Sequence, residues 1–100
     1  MKDAPRIMLV EDDESLGFLL KDAMEGNGWH VDLLQTGEKG LTAFHNKAFD
    51  LCILDIMLPE KDGFELASQI TKYNQHVPIV FLTAKSQVED RIRGFQIGAD

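Results

Sequence analysis

The feature that most constrains the fold is an apolar run from Leu51 to Leu54 that leads directly into Asp55. A short apolar run bounded by turn residues predicts a strand that is buried on both faces, as in parallel sheets. A proline and an Asp-Gly pair that follow supply the turn. In open parallel α/β sheets, ligands and chemistry lie beyond the carboxyl ends of the strands. We therefore expect Asp55 to be a functional residue at the edge of a sheet.

Four short apolar runs predict four strands, at residues 7–10, 29–34, 51–54 and 79–82. The second run alternates apolar and polar residues, so we expect that strand to be half exposed and near an edge of the sheet. Helical patterns follow each run, which gives the order βαβαβαβα. This order predicts a single α/β domain, with a parallel sheet, helices on both faces and right-handed crossovers.

The predicted helices start at capping residues. Asp13 and Thr36 precede the first two helices, and Ser86 with Glu89 forms a capping box before the fourth. The inward residues, predicted from helical spacing, are Leu16, Leu19, Leu20, Ala23 and Met24 in the first helix, Leu41, Ala43 and Phe44 in the second, Leu66, Ala67, Ile70 and Tyr73 in the third, and Val88, Ile92 and Phe95 in the fourth.

Composition limits the classes of function. The 100 residues carry a formal net charge of -7, which argues against binding to nucleic acid or to anionic membranes. No stretch has the length of a transmembrane helix, and the charged start does not resemble a signal peptide. Cys52 is the single cysteine, which excludes an intramolecular disulfide and suits a reducing compartment. We therefore expect a cytoplasmic protein.

The last predicted strand raises an expectation about the rest of the sheet. Without a further neighbour, the run from Ile79 to Leu82 would form a long apolar edge, which promotes aggregation. We therefore expect at least one more strand, supplied by a longer parent chain or by a partner molecule.

Three strand ends carry the candidate site residues. The first run leads into Glu11 and Asp12, the third into Asp55, and the fourth into Thr83 followed by Ala84. Carboxylates in one pocket repel one another unless a cation lies among them, and a few hard oxygen ligands favour Mg²⁺. Asp55 is then a candidate for attack on a phosphoryl group. Thr83 would donate a hydrogen bond to that group, and Ala84 would leave space for it.

Each of these residues also has an ordinary structural explanation. A lone acidic residue at a strand end usually caps a loop, and Glu11 to Asp13 would also favour a helix N-terminus. Their convergence at successive strand ends favours the acidic-pocket interpretation.

Together the motifs resemble the receiver domains of two-component response regulators. The match runs in order and at family spacing through Ile7-Met8-Leu9-Val10-Glu11-Asp12-Asp13, Asp50-Leu51-Cys52-Ile53-Leu54-Asp55-Ile56-Met57-Leu58-Pro59, Asp62-Gly63-Phe64-Glu65-Leu66, Pro78-Ile79-Val80-Phe81-Leu82-Thr83-Ala84 and Gly94-Phe95-Gln96-Ile97-Gly98-Ala99-Asp100. One motif alone is a weak signal, whereas the whole set is specific. The resemblance implies a flavodoxin-like doubly wound sheet with strand order 2-1-3-4-5.

The resemblance also implies roles at the site. Asp55 is similar to the phosphoacceptor, which receives its phosphoryl group from a sensor histidine kinase. Asp12 resembles the direct Mg²⁺ ligand, and Glu11 resembles the residue that assists through water. The third protein ligand in such domains is a backbone carbonyl, here that of Met57.

Signal output is implied in the same way. Thr83 resembles a switch hydroxyl, which would reposition the helix from Ser86 to Ile97 and so control an output domain. The turn from Leu58 to Gly63 is similar to that of regulators with a winged-helix DNA-binding domain, which implies transcriptional regulation. Receivers continue into a fifth strand, a phosphoryl-binding lysine and a fifth helix, which this sequence lacks. We therefore expect one receiver domain over residues 1–100, incomplete at its C-terminus.

Three alternatives belong to other classes. A phosphohydrolase of the haloacid type needs a second Asp where this sequence has Met57. A flavodoxin-like flavin carrier needs a phosphate-binding first loop, whereas Glu11 to Asp13 would repel a phosphate. A truncated receiver that serves only as a binding or dimerisation module, pairing through the exposed fourth strand, remains open.

In the main interpretation the domain is no enzyme beyond self-phosphorylation from small phosphodonors and slow self-dephosphorylation.

Overall fold

Strands alternate with helices throughout the described part of the chain. The computed structural model describes residues 4–58 and 62–82. The elements are β1 (Arg6–Val10), α1 (Glu14–Glu25), β2 (His30–Leu34), α2 (Gly37–Asn46), β3 (Leu51–Asp55), α3 (Gly63–Tyr73) and β4 (Ile79–Leu82). The first strand begins one residue earlier than the sequence predicts, and the second begins one residue later. The predicted fourth helix, with its cap Ser86, lies outside the described residues.

The strands form one parallel sheet in the order β2-β1-β3-β4. Val10, the last residue of β1, pairs with Leu34 on one side and with Leu54 on the other. β3 runs one residue further and ends at Asp55, which pairs with Leu82 of β4. The carboxyl ends of all four strands therefore lie at one edge of the sheet. This order confirms the predicted flavodoxin-like topology for the strands that the structure describes.

The larger core cluster lies between the sheet and helices α2 and α3. Side chains alternate across a strand, so every second residue of β1, β3 and β4 enters this cluster. Its buried members are Met8, Val10, Phe44, Phe49, Cys52, Leu54, Leu58, Leu66, Ala67, Ile70, Ile79 and Phe81. The cluster reaches Leu54, the residue before Asp55, so a fully packed core supports the carboxyl edge of the sheet.

The smaller cluster lies on the opposite face, next to α1. Its buried members are Ile7, Leu9 and Val31. Leu51 and Ile53 of β3 pack against this cluster but stay partly exposed, so the prediction of a strand buried on both faces holds for one face only. The reason is that α1 packs on β2 and β1 rather than over β3.

The inward face of α1 is narrower than the sequence predicts. Leu20 and Met24 pack against the smaller cluster, whereas Leu19 is 66% exposed and Ala23 is also exposed. The buried Gly17 lies so close to the sheet that a Cβ atom there would be 3.1 Å from the side chain of a β2 leucine. The close approach places the axis of α1 near the sheet and leaves only a narrow row of side chains between them.

Tyr73 also lies differently from its predicted inward position. Its side chain is 62% exposed at the last position of α3. The ring lies over that of His45, with 4.1 Å between centroids, and meets Phe44 edge-on at 6.2 Å. Because α3 ends at this residue, the tyrosine packs across the end of α2 instead of entering the core.

Side-chain caps begin the three described helices. Asp13, Thr36 and Asp62 each accept a hydrogen bond from the backbone N–H three residues later, at 3.1, 3.1 and 2.8 Å. The first two are the caps that the sequence predicts, and each satisfies a backbone donor that the helix itself leaves unpaired.

Over the described ranges, none of the helices combines the length and apolar character that crossing a membrane requires.

The buried Cys52 generates a prediction about alkaline stability. Burial raises the pKa of its thiol from 9.0 to about 12. Above pH 9 the unfolded chain therefore loses this proton while the folded chain keeps it, so the free energy of unfolding falls as the pH rises toward 12. Urea unfolding across this range should show a shallower fall for Cys52→Ala than for the parent chain.

The control for this experiment is Ile70→Val, a buried core change that keeps the thiol. It should lower stability at every pH and leave the slope against pH as in the parent. Equal slopes for the parent and Cys52→Ala would contradict the prediction.

Candidate functional site

Three carboxylates gather at the carboxyl edge of the sheet. Glu11 and Asp12 follow β1 directly, and Asp55 is the last residue of β3. One carboxylate oxygen from each lies within 4.8 Å of the others. The pairing of β1 with β3 causes this convergence, because Val10 and Leu54 are partners in the register. The structure thus brings together three of the residues singled out in the sequence.

The burial of these side chains limits what the cluster can hold. Glu11 and Asp55 have no exposed surface, and Asp12 is half-buried. Ionised carboxylates this close repel one another, and burial removes the water that would otherwise screen them. A divalent cation among them would offset both effects, and hard carboxylate oxygens are suitable ligands for it. The donor set therefore fits a hard divalent cation, approached from the side of Asp12.

Backbone hydrogen bonds hold Glu11 at both its main chain and its side chain. Its N–H donates to the carbonyl of Leu34 at 2.9 Å, which continues the β1–β2 pairing by one residue. Its Oε2 atom accepts a hydrogen bond from the N–H of Asp13 at 2.9 Å. The carboxylate thus has a fixed direction within the turn that leads into α1.

Asp55 is held by the turn that follows β3. Its Oδ1 atom accepts a hydrogen bond from the N–H of Met57 at 3.0 Å. The N–H of Ile56, between them, donates to the carbonyl of Leu82 at 2.9 Å, which extends the β3–β4 pairing. The carboxylate is therefore oriented by its own chain, while the main chain is fixed by the neighbouring strand.

The start of α3 lies directly against the main chain of Asp55. The N–H of Gly63 donates to the carbonyl of Ile56 at 2.9 Å. A Cβ atom at position 63 would overlap the carbonyl oxygen of Asp55 and lie 2.9 Å from the Cα atom of Ile56. Only a residue without a side chain fits there. Reasoning from the sequence missed this role, although the Asp-Gly pair marked the position as a turn.

The remaining predicted site residues are not all described. The side chain of Met57 is 63% exposed beside Asp55, and its role as a ligand through its carbonyl stays a prediction. Thr83 and Ala84 lie outside the described residues. Within those residues, the cluster of Glu11, Asp12 and Asp55 is the one group of three acidic, histidine or cysteine side chains close enough to share a metal ion.

Comparison of the whole chain with known proteins identifies a family and several similar proteins. The model of the response regulator receiver domain family matches residues 7–100. The chain is 47% identical over 100 residues to the transcriptional regulatory protein RprY of Bacteroides fragilis. It is 39% identical over 95 residues to the transcriptional regulatory protein PcoR of Escherichia coli. The alignments cover 100% and 95% of this chain and 42% of each relative, so the chain spans less than half of their length.

Solved structures agree with the fold. The non-phosphorylated HemR receiver domain from Leptospira biflexa is 43% identical, with a TM-score of 0.78 over 95% of this chain and 77% of that chain. The response regulator protein TrrA from Thermotoga maritima, solved in complex with Mg²⁺ and BeF, is 36% identical. Its TM-score is 0.78 over 82% of this chain and 71% of that chain.

The contact at Gly63 leads to a prediction. In Gly63→Ala the new methyl group would displace α3 from the main chain of Asp55, and overpacking of this kind costs about 1–3 kcal/mol of unfolding free energy. Chemical denaturation of the variant and the parent measures the loss.

The matched control is Gly26→Ala, at the C-terminal end of α1. Its backbone is already right-handed, and its nearest neighbours to a Cβ atom are carbonyl oxygens at 3.3 and 3.4 Å. We expect a change below about 1 kcal/mol there. An equal or larger loss for the control would show that the contact with Asp55 is not the cause.

Proposed function

The chain belongs to the response regulator receiver domain family, the phosphoacceptor domains of two-component signalling, and we propose that Asp55 is its phosphoacceptor. The observation that carries the proposal is the cluster of Glu11, Asp12 and Asp55, whose carboxylate oxygens lie within 4.8 Å of one another. Of the three, Asp55 stands alone at the end of β3, one of the two inner strands of the described sheet, and the other two are consecutive residues of one turn. This division suits one nucleophile and one pair of cation-binding groups.

We propose that the cation is Mg²⁺. Asp12 would bind it directly, Glu11 would act through a water molecule, and Asp55 and the carbonyl of Met57 would complete the protein ligands. Half-burial of Asp12 and complete burial of Glu11 support this division, because a hydrated ion enters from the solvent side. When bound, Mg²⁺ supplies positive charge that offsets the phosphoryl oxygens.

Phosphoryl transfer needs little covalent chemistry from the protein. A carboxylate oxygen of Asp55 forms a bond to phosphorus, while the bond from phosphorus to the imidazole nitrogen of a kinase phosphohistidine breaks. The electron pair of the broken bond leaves with the imidazole. Catalysis is then mostly positioning and electrostatics, and the hydrogen bond from the Met57 N–H supports the positioning of Asp55.

The signalling step would follow the transfer. Thr83, next to the end of β4, would donate its hydroxyl hydrogen bond to the phosphoryl group, and Ala84 would leave room for it. The segment from Ser86 to Ile97 would then shift and bias an existing two-state equilibrium. In this account the domain signals and is no enzyme beyond self-phosphorylation from small phosphodonors and slow loss of the phosphoryl group.

The family supports a proposal for the partners and the location of the domain. A sensor histidine kinase would supply the phosphoryl group, and the relatives named as transcriptional regulators support a DNA-binding output domain in the full-length protein. We place the domain in the cytoplasm, where a buried free thiol such as Cys52 stays reduced. Dimerisation, including through β4, stays a prediction that sedimentation equilibrium can test.

The acceptor assignment predicts that Asp55→Asn abolishes phosphoryl uptake, because an amide oxygen is a far weaker nucleophile than a carboxylate. Intact-mass measurement after incubation with Mg²⁺ and acetyl phosphate should show a gain of one phosphoryl group in the parent only. Asp22→Asn, the same change at an exposed position of α1, should retain the gain. Uptake at the parent level in Asp55→Asn would overturn the assignment.

The cation assignment predicts that Asp12→Ala weakens Mg²⁺ binding by at least about tenfold, since it removes a direct ligand. Isothermal titration calorimetry of the parent and the variant measures the dissociation constant. Asp22→Ala removes the same charge from an exposed site and should change it less than about twofold. An unchanged affinity in Asp12→Ala would remove this residue from the ligand set.

A further inference from the structure

The turn between β1 and α1 contains a hydrogen-bonded connection that the roles above leave unused. Asp13 makes one hydrogen bond through its side chain, toward α1, and another through its backbone, toward Glu11. Its Oδ1 atom accepts a hydrogen bond from the N–H of Leu16 at 3.1 Å, which caps α1. Its own N–H donates to Oε2 of Glu11 at 2.9 Å. Asp13 thus connects the N-terminus of α1 to a carboxylate of the acidic cluster.

A second contact connects the first turn of α1 to the end of β2. Gln35, the residue after β2, donates from Nε2 to Oε2 of Glu14 in the first turn of α1 at 3.1 Å. Glu11 is already bound through its N–H to the carbonyl of Leu34. The end of β2 is therefore hydrogen-bonded to both ends of the turn, to Glu11 where the turn begins and to Glu14 where α1 begins.

We propose that Asp13 is a positioning residue for the cation site, on which it acts through Glu11. The inference rests on the proposed function, because it takes Glu11 to be part of that site. Asp13 has the extended backbone of a cap, with φ -81° and ψ 112°. In that conformation its N–H donates to Glu11, and the hydrogen bond from the N–H of Leu16 to its side chain stabilises the conformation.

The burial of Glu11 makes the direction of its carboxylate important. The side chain has no exposed surface, so solvent cannot compensate for a wrong orientation. It also has three rotatable bonds, whose freedom is lost when the carboxylate is fixed for a hydrated ion. The N–H of Asp13 helps to fix this orientation in advance, so that less entropy is lost when the ion binds.

Charge offers a competing explanation for any effect of Asp13. Its carboxylate is exposed near the cluster, and its negative charge would attract a cation without any positioning. Neutral substitutions separate the two explanations. Asn and Ser cap a helix through a side-chain oxygen, whereas Ala and Gly have none; Gly nevertheless costs the helix only a little stability.

The experiment measures the Mg²⁺ dissociation constant of the 100-residue chain by isothermal titration calorimetry. The variants are Asp13→Asn, Asp13→Ser, Asp13→Ala and Asp13→Gly, which all lack the charge. We expect the constants of the Ala and Gly variants to be at least about threefold higher than those of the Asn and Ser variants. Circular dichroism confirms that each variant is folded, and Asp13→Gly carries the test if Asp13→Ala is too unstable.

A second readout separates positioning from a general loss of structure. The Mg²⁺ concentration that gives half-maximal phosphoryl uptake from acetyl phosphate should rise in the Ala and Gly variants, while uptake at saturating Mg²⁺ stays at the parent level. Thr36→Ala removes the cap of α2 in the same way and should leave the Mg²⁺ affinity within about twofold of the parent.

Three outcomes would overturn the inference. Equal constants for all four variants would show that charge alone, or nothing, links Asp13 to the ion. An equal loss of affinity in Thr36→Ala would show a general effect of helix stability. A parent chain that binds no Mg²⁺ would overturn the proposed function as well, whereas the first two outcomes leave that proposal in place.

Discussion

The parallel pairing of β1 with β3 is the interaction on which the site depends. Because Val10 is the partner of Leu54, the residues that follow both strands emerge side by side at one edge of the sheet. Side chains alternate along a strand, so a slip of one residue would turn Asp55 to the opposite face and away from Glu11. The geometry of three carboxylates is therefore set by main-chain hydrogen bonds in the middle of the sheet.

Burial of two carboxylates at that edge works against the stability that the rest of the domain supplies. Glu11 and Asp55 are the buried charged side chains among the described residues, and both belong to the cluster. Removing them from water is unfavourable for folding unless hydrogen bonds and a cation compensate. Departures from simple apolar packing are expected where a chain carries out chemistry. Here they coincide with the residues that the strand ends identify.

The sequence predicted those parts of the structure that depend on local pattern. Buried runs fixed the strands and placed Asp55 at a strand end, and polar residues before helical patterns identified two caps. Spacing shows which residues share a helix face but not how much of that face a neighbour covers, so Leu19 and Tyr73 were wrongly placed inward. The closeness of Gly63 to Asp55 depends on how α3 docks against β3, which no local pattern contains. The resemblance to receivers, in contrast, covered nearly the whole chain and identified the family correctly.

The contact of Gly63 with the main chain after β3 has a mechanical consequence. The main chain of Ile56 is hydrogen-bonded to β4 through its N–H and to α3 through its carbonyl, and Gly63 lies in close contact with the carbonyl of Asp55 on that side. Under the proposed function, the phosphoryl group on Asp55 would be attached to a strand end that is held from two sides. The adjustment to that group would then fall on neighbouring side chains and loops, and β3 would serve as the fixed support for it.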